Sequence, residues 1–335
     1  MADTILVTGG AGYIGSHIVV ELAGAGYSPL IVDNFATSSP SVVPRLCRVT
    51  GQPVSCITGD VRDRALMKRL FAEHPISAVI HCAGLKAVGE GEAKPIAYYD
   101  NNVGGTITLA EAMADAGVKT LVFSSSAAVY GQPERNPVTE DAPFRTASVY
   151  GRTKRMVERV LEDVAASDAQ WSIGLLRYFN PAGAHSSAQI GEAPSATPNN
   201  LVPILAQVAA TDAPEIAVFG NDWDTPDGTG VRDYVHVVDL AAGHVAAMRY
   251  LARARGVTTL NLGTGRGHSV LEVVAAFERA CGKPIARRVA PRRPGDVAIY
   301  YADPSRAQRL LGWRAEHDLD AICADAWRWQ TNRHR

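Results

Sequence analysis

Tyr150 and Lys154 stand four residues apart in the run Ser148-Val149-Tyr150-Gly151-Arg152-Thr153-Lys154. On a helix this spacing brings the phenol and the ammonium to one face. A free phenol has a pKa of about 10 and is a poor base near neutrality. A positive charge a few ångströms away favours the phenolate, which lets a tyrosine take a proton from an alcohol. The same pair also describes a surface aromatic beside a solvated lysine, so its meaning depends on the rest of the chain. Ser124-Ser125-Ser126 follows the apolar run Leu121-Val122-Phe123, where a strand should end. A hydroxyl there can hydrogen-bond a reacting alcohol and the phenol together. A polar strand end would read the same way.

The elements that position these groups begin near the N-terminus. Thr4-Ile5-Leu6-Val7-Thr8 is a short apolar, partly β-branched run readable as a buried strand. Glycines at 9, 12 and 15 follow in Gly9-Gly10-Ala11-Gly12-Tyr13-Ile14-Gly15, and then Ile14, Ile18, Val19 and Leu22 recur at helical spacing. A glycine turn between strand and helix lets the backbone approach a pyrophosphate, and the helix N-terminus supplies N–H donors. A glycine turn that binds nothing is the alternative, but strand, spacing and helix agree on a dinucleotide site. The next strand, Pro29-Leu30-Ile31-Val32, ends in Asp33. That is about 20 residues beyond the turn, where a carboxylate accepts from ribose hydroxyls. Asp33 would repel a 2′-phosphate, and the first arginine after it is Arg45. NAD is therefore expected over NADP, although Asp-Asn is also an ordinary strand-ending turn.

Strands and helices alternate through the first half. Strand-like runs occur at Val54–Ile57, Ala78–Cys82, Leu121–Phe123 and Trp171–Asn180. Helical patterns pass through Leu66 and Leu70, cover roughly Pro95 to Ala116, and carry Tyr150 towards Val164. This order predicts an α/β fold, a Rossmann-type doubly wound parallel sheet with ligands at the C-terminal strand ends. Residues 1–181 are expected to form the NAD-binding domain. Beyond Pro181 the texture turns to Gly, Pro, Ser and Asn-rich loops, and 182–335 read as a smaller C-terminal α/β cap domain for substrate. Part of roughly 232–263 is expected to pack back on the main sheet. Lys+Arg 33 against Asp+Glu 34 gives a net charge of −1, with no basic block suited to nucleic acid. No apolar stretch is long enough to cross a bilayer. Cys47, Cys56, Cys82, Cys281 and Cys323 have no paired or metal-type spacing, which suits free thiols in a reducing cytoplasm. No metal site is expected.

Further motifs narrow the reading. They are Gly59-Asp60-Val61, His81-Cys82-Ala83-Gly84-Leu85-Lys86, Asn101-Asn102-Val103-Gly104-Gly105-Thr106 and Leu175-Leu176-Arg177-Tyr178-Phe179-Asn180-Pro181. Downstream stand Pro198-Asn199-Asn200-Leu201, Phe219-Gly220-Asn221-Asp222, Asp227-Gly228-Thr229-Gly230-Val231-Arg232-Asp233-Tyr234 and Ala290-Pro291-Arg292-Arg293-Pro294-Gly295-Asp296. With the glycine turn, the serines and the Tyr150/Lys154 pair, the chain resembles the extended short-chain dehydrogenase/reductases over essentially its whole length. Within them it resembles the UDP-hexose 4-epimerases.

The resemblance implies that Gly9, Gly12, Tyr13, Ile14, Gly15, Asp33, Asn34, Asp60, Val61, Lys86, Asn101, Ser124, Tyr150, Lys154 and Tyr178 contact NAD. It implies that Ser126, Tyr150 and Lys154 carry the chemistry. The UDP-sugar would be held by Lys86, Ser126, Tyr150, Asn180, Asn199, Asn200, Leu201, Phe219, Arg232, Arg293, Asp296 and Tyr300. Arginines there suit bidentate recognition of phosphate oxygens. The implied reaction interconverts UDP-glucose and UDP-galactose through a 4-keto sugar with resident NAD, in a cytoplasmic homodimer. Tyr300 falls where a bulky residue narrows the sugar pocket against N-acetylated substrates. Two departures stand out: Ser126-Ala127-Ala128 where Ser-Ala-Thr is common, and Gly151-Arg152-Thr153 where Gly-Lys-Ser is frequent. Ala127-Ala128 also lacks the acid and base of nucleotide-sugar 4,6-dehydratases and the glutamate of a related decarboxylase. Epimerisation of UDP-xylose/UDP-arabinose or UDP-GlcNAc needs the same machinery, and a catalytically idle NAD-binding regulator is the rival from another class.

Overall fold

In the computed structural model the described residues are 2–193, 198–211, 215–293 and 295–333. Strands β1 (Thr4–Thr8), β2 (Ser28–Asp33), β3 (Ser55–Thr58), β4 (Ile76–His81), β5 (Thr120–Ser124) and β6 (Ser172–Tyr178) are joined by helical crossovers. The helices between them are α1 (Tyr13–Gly24), α2 (Val42–Thr50), α3 (Arg64–Glu73), α4 (Val88–Ala93), α5 (Pro95–Tyr98), α6 (Gly105–Asp115) and α7 (Val149–Ser167). Short strand β7 (Asn180–Ala182) follows β6, and the second half then runs α8 (Leu201–Ala210), β8 (Ile216–Phe219), β9 (Val231–Arg232), β10 (Tyr234–His236), α9 (Val237–Leu251) and β11 (Gly256–Leu262). Last come β12 (His268–Ser269), α10 (Val270–Cys281), β13 (Arg287–Ala290), β14 (Ile299–Tyr300), α11 (Ser305–Leu311) and α12 (Leu319–Asn332).

Seven parallel strands form the main sheet in the order β11-β6-β5-β4-β1-β2-β3. The apolar runs explain why both faces are covered. Side chains alternate along a strand, so Ile5 and Val7 enter one core with Ile18 and Leu22 of α1 and Leu240 and Met248 of α9. Leu6 enters the opposite core with Met67 of α3, Met113 of α6 and Leu161 of α7. The sheet is doubly wound, as its alternating sequence predicts. β11 and α9 come from the second half of the chain yet complete this layer, with β11 paired along all of β6.

Ala307 of α11 joins the core shared by α1 and α9, whereas α8, β8, α10 and α12 have a core of their own. Val202 and Leu205 of α8, Val273 and Phe277 of α10, and Ile322 and Ala326 of α12 pack with Ile216 and Val218 of β8. Small sheets β10-β7 and β12-β9-β14 join this core to the main sheet. One detail differs from the sequence expectation. The single helix expected over Pro95–Ala116 is α5, a π-helical turn over Tyr99–Gly104, and α6. Hydrophobic periodicity cannot register such a turn, because it adds one residue without changing which positions are apolar.

Candidate active site

The glycine turn leaves β1 at the C-terminal edge of the sheet and feeds α1. Gly15 is demanded by packing: a Cβ there would lie 2.2 Å from the Gly9 carbonyl oxygen and 2.8 Å from Gly10 Cα. Gly12 occupies the N-cap position, so no side chain caps α1, and its first turn holds no acidic residue. The first N–H groups of a helix need acceptors. Uncapped and without a local anion, this end fits a pyrophosphate. Asp33, at the end of β2, is buried and accepts from Ala11 N–H at 3.0 Å, Phe35 N–H at 2.9 Å and Ser38 Oγ at 2.8 Å. Asn34 donates to Asp60 at 2.9 Å, and Arg62 pairs with Asp60 and holds its carboxyl well below the usual range. Val61 is buried beside them. Arg45 lies on α2 over the Trp329 ring, 5.5 Å from its centroid. The residues expected around a dinucleotide thus line the ends of β1, β2 and β3, and their donors and carboxylate suit NAD.

Tyr150 occupies the first turn of α7. Ser148 caps that helix by accepting from Gly151 N–H at 3.0 Å. Gly151 lets α7 come close to the turn after β5, since a Cβ there would lie 2.7 Å from the Ala128 carbonyl oxygen. In that turn Ser126 accepts from Ala128 N–H at 3.1 Å, and its hydroxyl is the neighbour that favours ionisation of the Tyr150 phenol. Only Ser126 of the three serines faces the phenol. Ser125 donates to Glu158 at 2.7 Å. His244 Nδ1 bonds the Leu240 carbonyl at 2.8 Å, which places its proton there. Nε2 of His244 is then the acceptor for the Ser124 hydroxyl at 2.9 Å. Ser124, expected on the cofactor, thus has a buried hydroxyl partner in His244, and its carbonyl accepts from Lys154 Nζ at 2.7 Å.

Lys154 does face Tyr150, with Nζ 5.9 Å from the phenol ring centroid and 4.6 Å from that of Phe123. Burial lowers its pKa to about 8, against the pull of Cys82 and Glu158. Burial likewise raises the Tyr150 phenol, with only the Ser126 hydrogen bond acting downward. The expected acidification of Tyr150 by Lys154 is therefore not a property of the protein groups alone. In a dry site desolvation outweighs an ammonium that is already bonded to a carbonyl. Tyr178, half-buried at the end of β6, lies near Tyr150, whose charge would raise it further beyond the effect of desolvation.

The groups expected to hold the sugar nucleotide come from distant segments. Arg232 of β9 registers with Tyr300 of β14 and pairs with Asp296 at 3.1 Å. The Tyr300 hydroxyl reaches the Ala127 carbonyl at 2.5 Å, beside Ser126, and its ring lies 5.1 Å from that of Phe179. Asn180 of β7 donates its N–H to the Asp233 carbonyl at 3.0 Å. Arg293 stacks on Phe219 at 3.8 Å. Asn199, Asn200 and Leu201 stand at the exposed start of α8, and Lys86 lies on the β4–α4 loop across from them, bonded to Glu192 at 3.1 Å. Asn101 in the π-helical turn donates to Asn102 at 2.9 Å.

Three residues outside the expected set hold this arrangement. Asn102 is buried and bonds both backbone groups of Leu85, at 2.8 and 3.0 Å, and Thr153 at 3.0 Å, tying the Lys86 loop to α7. Buried Asp233 accepts from Thr264, Gly265 and Ala302 backbone N–H groups at 2.9 to 3.1 Å, pinning the exits of β11 and β14. Glu158 forms a bidentate, fully buried pair with Arg177 at 2.8 and 2.9 Å. Their partners lie 17 to 69 residues away. Asn102 and Asp233 stand within motifs noted in the sequence, but nothing there assigned either a role, and Glu158 carried no such signal. No group of His, Cys, Asp and Glu among the described residues could hold a metal ion.

Comparison with known proteins agrees with this geometry. Residues 5–263 match the NAD dependent epimerase/dehydratase family. The UDP-glucose 4-epimerase of Yersinia pestis is 56% identical over 328 residues, covering 98% of this chain and 97% of that one. The crystal structure of UDP-glucose 4-epimerase from Bifidobacterium longum in complex with NAD+ and UDP superposes with a TM-score of 0.94 at 52% identity, over 98% of both chains. The enzyme from Stenotrophomonas maltophila, with bound NAD and formylated UDP-arabinopyranose, gives 0.97 at 52% identity over 99% of both.

Proposed function

The chain belongs to the NAD dependent epimerase/dehydratase family, and from that premise we propose that it interconverts UDP-glucose and UDP-galactose by inverting C4 of the hexose. The observation that carries this reading is the convergence of Ser126, Tyr150 and Lys154 at the glycine-turn edge of the sheet, with Ala127 and Ala128 in place of a dehydratase acid and base. NAD held at the glycine turn and Asp33 would supply a hydride acceptor at C4 that is restored within the same turnover, so no second redox substrate would be needed. Tyr150 takes the proton of the 4-hydroxyl and gives it back. Ser126 bridges that oxygen and the phenol, orienting both. Lys154 adds positive charge on the same face of α7, held in place by the Ser124 carbonyl. Arg232 and Arg293 hold the UDP pyrophosphate, remote from the reacting carbon, so the 4-keto sugar stays bound while its faces exchange.

Residues 1–181 supply the cofactor half and 182–335 the sugar-nucleotide half, except that α9 and β11 serve the first. Tyr300 closes the pocket beside Ser126 and disfavours N-acetylated sugars. The protein works in the cytoplasm as a homodimer. Five free cysteines suit a reducing compartment, and no helix among the described residues is long and apolar enough to cross a membrane. Val88, Ile96 and Met156 leave apolar side chains exposed on α4, α5 and α7, a surface that a second copy would cover.

Purified protein given UDP-galactose should form UDP-glucose with no dinucleotide added, and turn over UDP-GlcNAc poorly. Conversion that consumes dinucleotide stoichiometrically would refute the proposal.

A further inference from the structure

A carboxylate that the motif reading did not select joins the two halves of the cleft. Glu192 lies in the segment between β7 and α8. Its Oε1 accepts from Lys86 Nζ at 3.1 Å and from Asn200 Nδ2 at 3.2 Å. Lys86 belongs to the cofactor half, on the β4–α4 loop, and Asn200 is the N-cap residue of α8. The acid side chain is 13% exposed and the lysine side chain 59%. Glu192 is therefore the fixed member of the pair. Its backbone is anchored independently: Trp329 Nε1 of α12 donates to the Glu192 carbonyl at 3.0 Å. Gly191 bridges Ala184 and packs so tightly on Trp329 that a Cβ would come within 2.5 Å of the indole. The carboxylate also faces Tyr13 at the start of α1, adding to the burial that raises that phenol.

We propose that Glu192 is a positioning residue that aligns Lys86 with the cofactor and couples its placement to the first turn of α8. This rests on reading Lys86 and Asn200 as ligands of NAD and of the UDP-sugar. Lysine has a flexible four-carbon stem and loses much rotamer freedom when it must point at one ligand. An acid held on a fixed backbone removes part of that loss before the ligand arrives. One oxygen shared by Lys86 and Asn200 also means that neither can shift without disturbing the other.

The test uses full-length protein as purified with its NAD, comparing the parent with Glu192→Ala, Glu192→Gln, Lys86→Ala and the Lys86→Ala/Glu192→Ala double variant. Dinucleotide retained after free NAD is removed is measured over time, alongside kcat and KM for UDP-galactose. Glu192→Ala should lose NAD and kcat by about three- to tenfold, as befits a charged hydrogen bond discounted for its exposed partner. Glu192→Gln, which keeps a neutral acceptor of the same shape, should fall between. In the Lys86→Ala background the Glu192→Ala change should add less than about twofold. Parent-like retention and kcat in both single variants would overturn the proposal. So would an undiminished effect in the Lys86→Ala background, which would make Glu192 a structural group only. Failure of the parent to epimerise any UDP-hexose would instead strike the proposed function, and NAD retention would still decide the role of Glu192.

Discussion

At Tyr150 two effects oppose one another. Burial holds the phenol protonated, and the Ser126 hydrogen bond pulls the other way. Lys154 is itself lowered by burial, to about 8. Positive charge brought by a ligand into a dry site acts with little screening and shifts the balance. The Tyr150 phenol in NAD-stripped protein should therefore titrate above a free phenol, and move down when NAD is restored. Ultraviolet difference titration against Tyr150→Phe reads this, and an unchanged curve on restoring NAD would contradict it. Tyr150→Phe should lower kcat by about 10²–10⁴-fold, the contribution of a positioned proton-transfer group. It should leave NAD content and melting temperature near the parent, because the ring still fills its place between Tyr98 and Val149.

The elements place these groups through contacts of very different reach. The strand-glycine-helix unit, Asp33 and the Tyr150/Lys154 pair were legible in the sequence because each depends on spacing within one or two adjacent elements. What could not be read is where a side chain turns when its partner is distant. Ser124 turns to His244, 120 residues on, and Ser125 to Glu158, so the serine run resolves into one facing group only in three dimensions. Lys86 finds Glu192 across 106 residues, and β11 returns to β6 after the whole cap has begun. Gly15→Ala tests the turn. Its Cβ has no room against the Gly9 carbonyl, so the variant should purify folded but largely without NAD, as measured by released dinucleotide. The Glu158–Arg177 pair tests how α7 is held on β6. Glu158→Ala leaves a buried guanidinium without its carboxylate and should cost about 3–5 kcal/mol. Replacing both residues with apolar ones of similar size should recover much of that loss in denaturant unfolding.

Over the whole molecule, three buried histidines tie stability to pH. Burial lowers His17 and His81 to about 3 and His244 to about 4. An unfolded histidine titrates near 6.5. Between those values the unfolded chain binds protons that the folded one does not, so stability rises with pH across that window and is lost as pH falls below about 6.5. Each group adds up to about 1.4 kcal/mol per pH unit to the slope. Melting temperature should fall steeply from pH 6.5 towards 4, and His81→Gln, which keeps polar contacts to Thr8 and Thr106, should flatten the fall. A flat profile in the parent would show that these rings do not stay neutral.

The proposed epimerisation requires one hydride to leave C4 and return to its opposite face without leaving the site. UDP-galactose carrying deuterium at C4, incubated with the purified protein in ordinary water and no added dinucleotide, tests it most directly. UDP-glucose should form with the deuterium still on C4. Product with that deuterium exchanged for solvent hydrogen, or no product until free dinucleotide is supplied in stoichiometric amount, would contradict it.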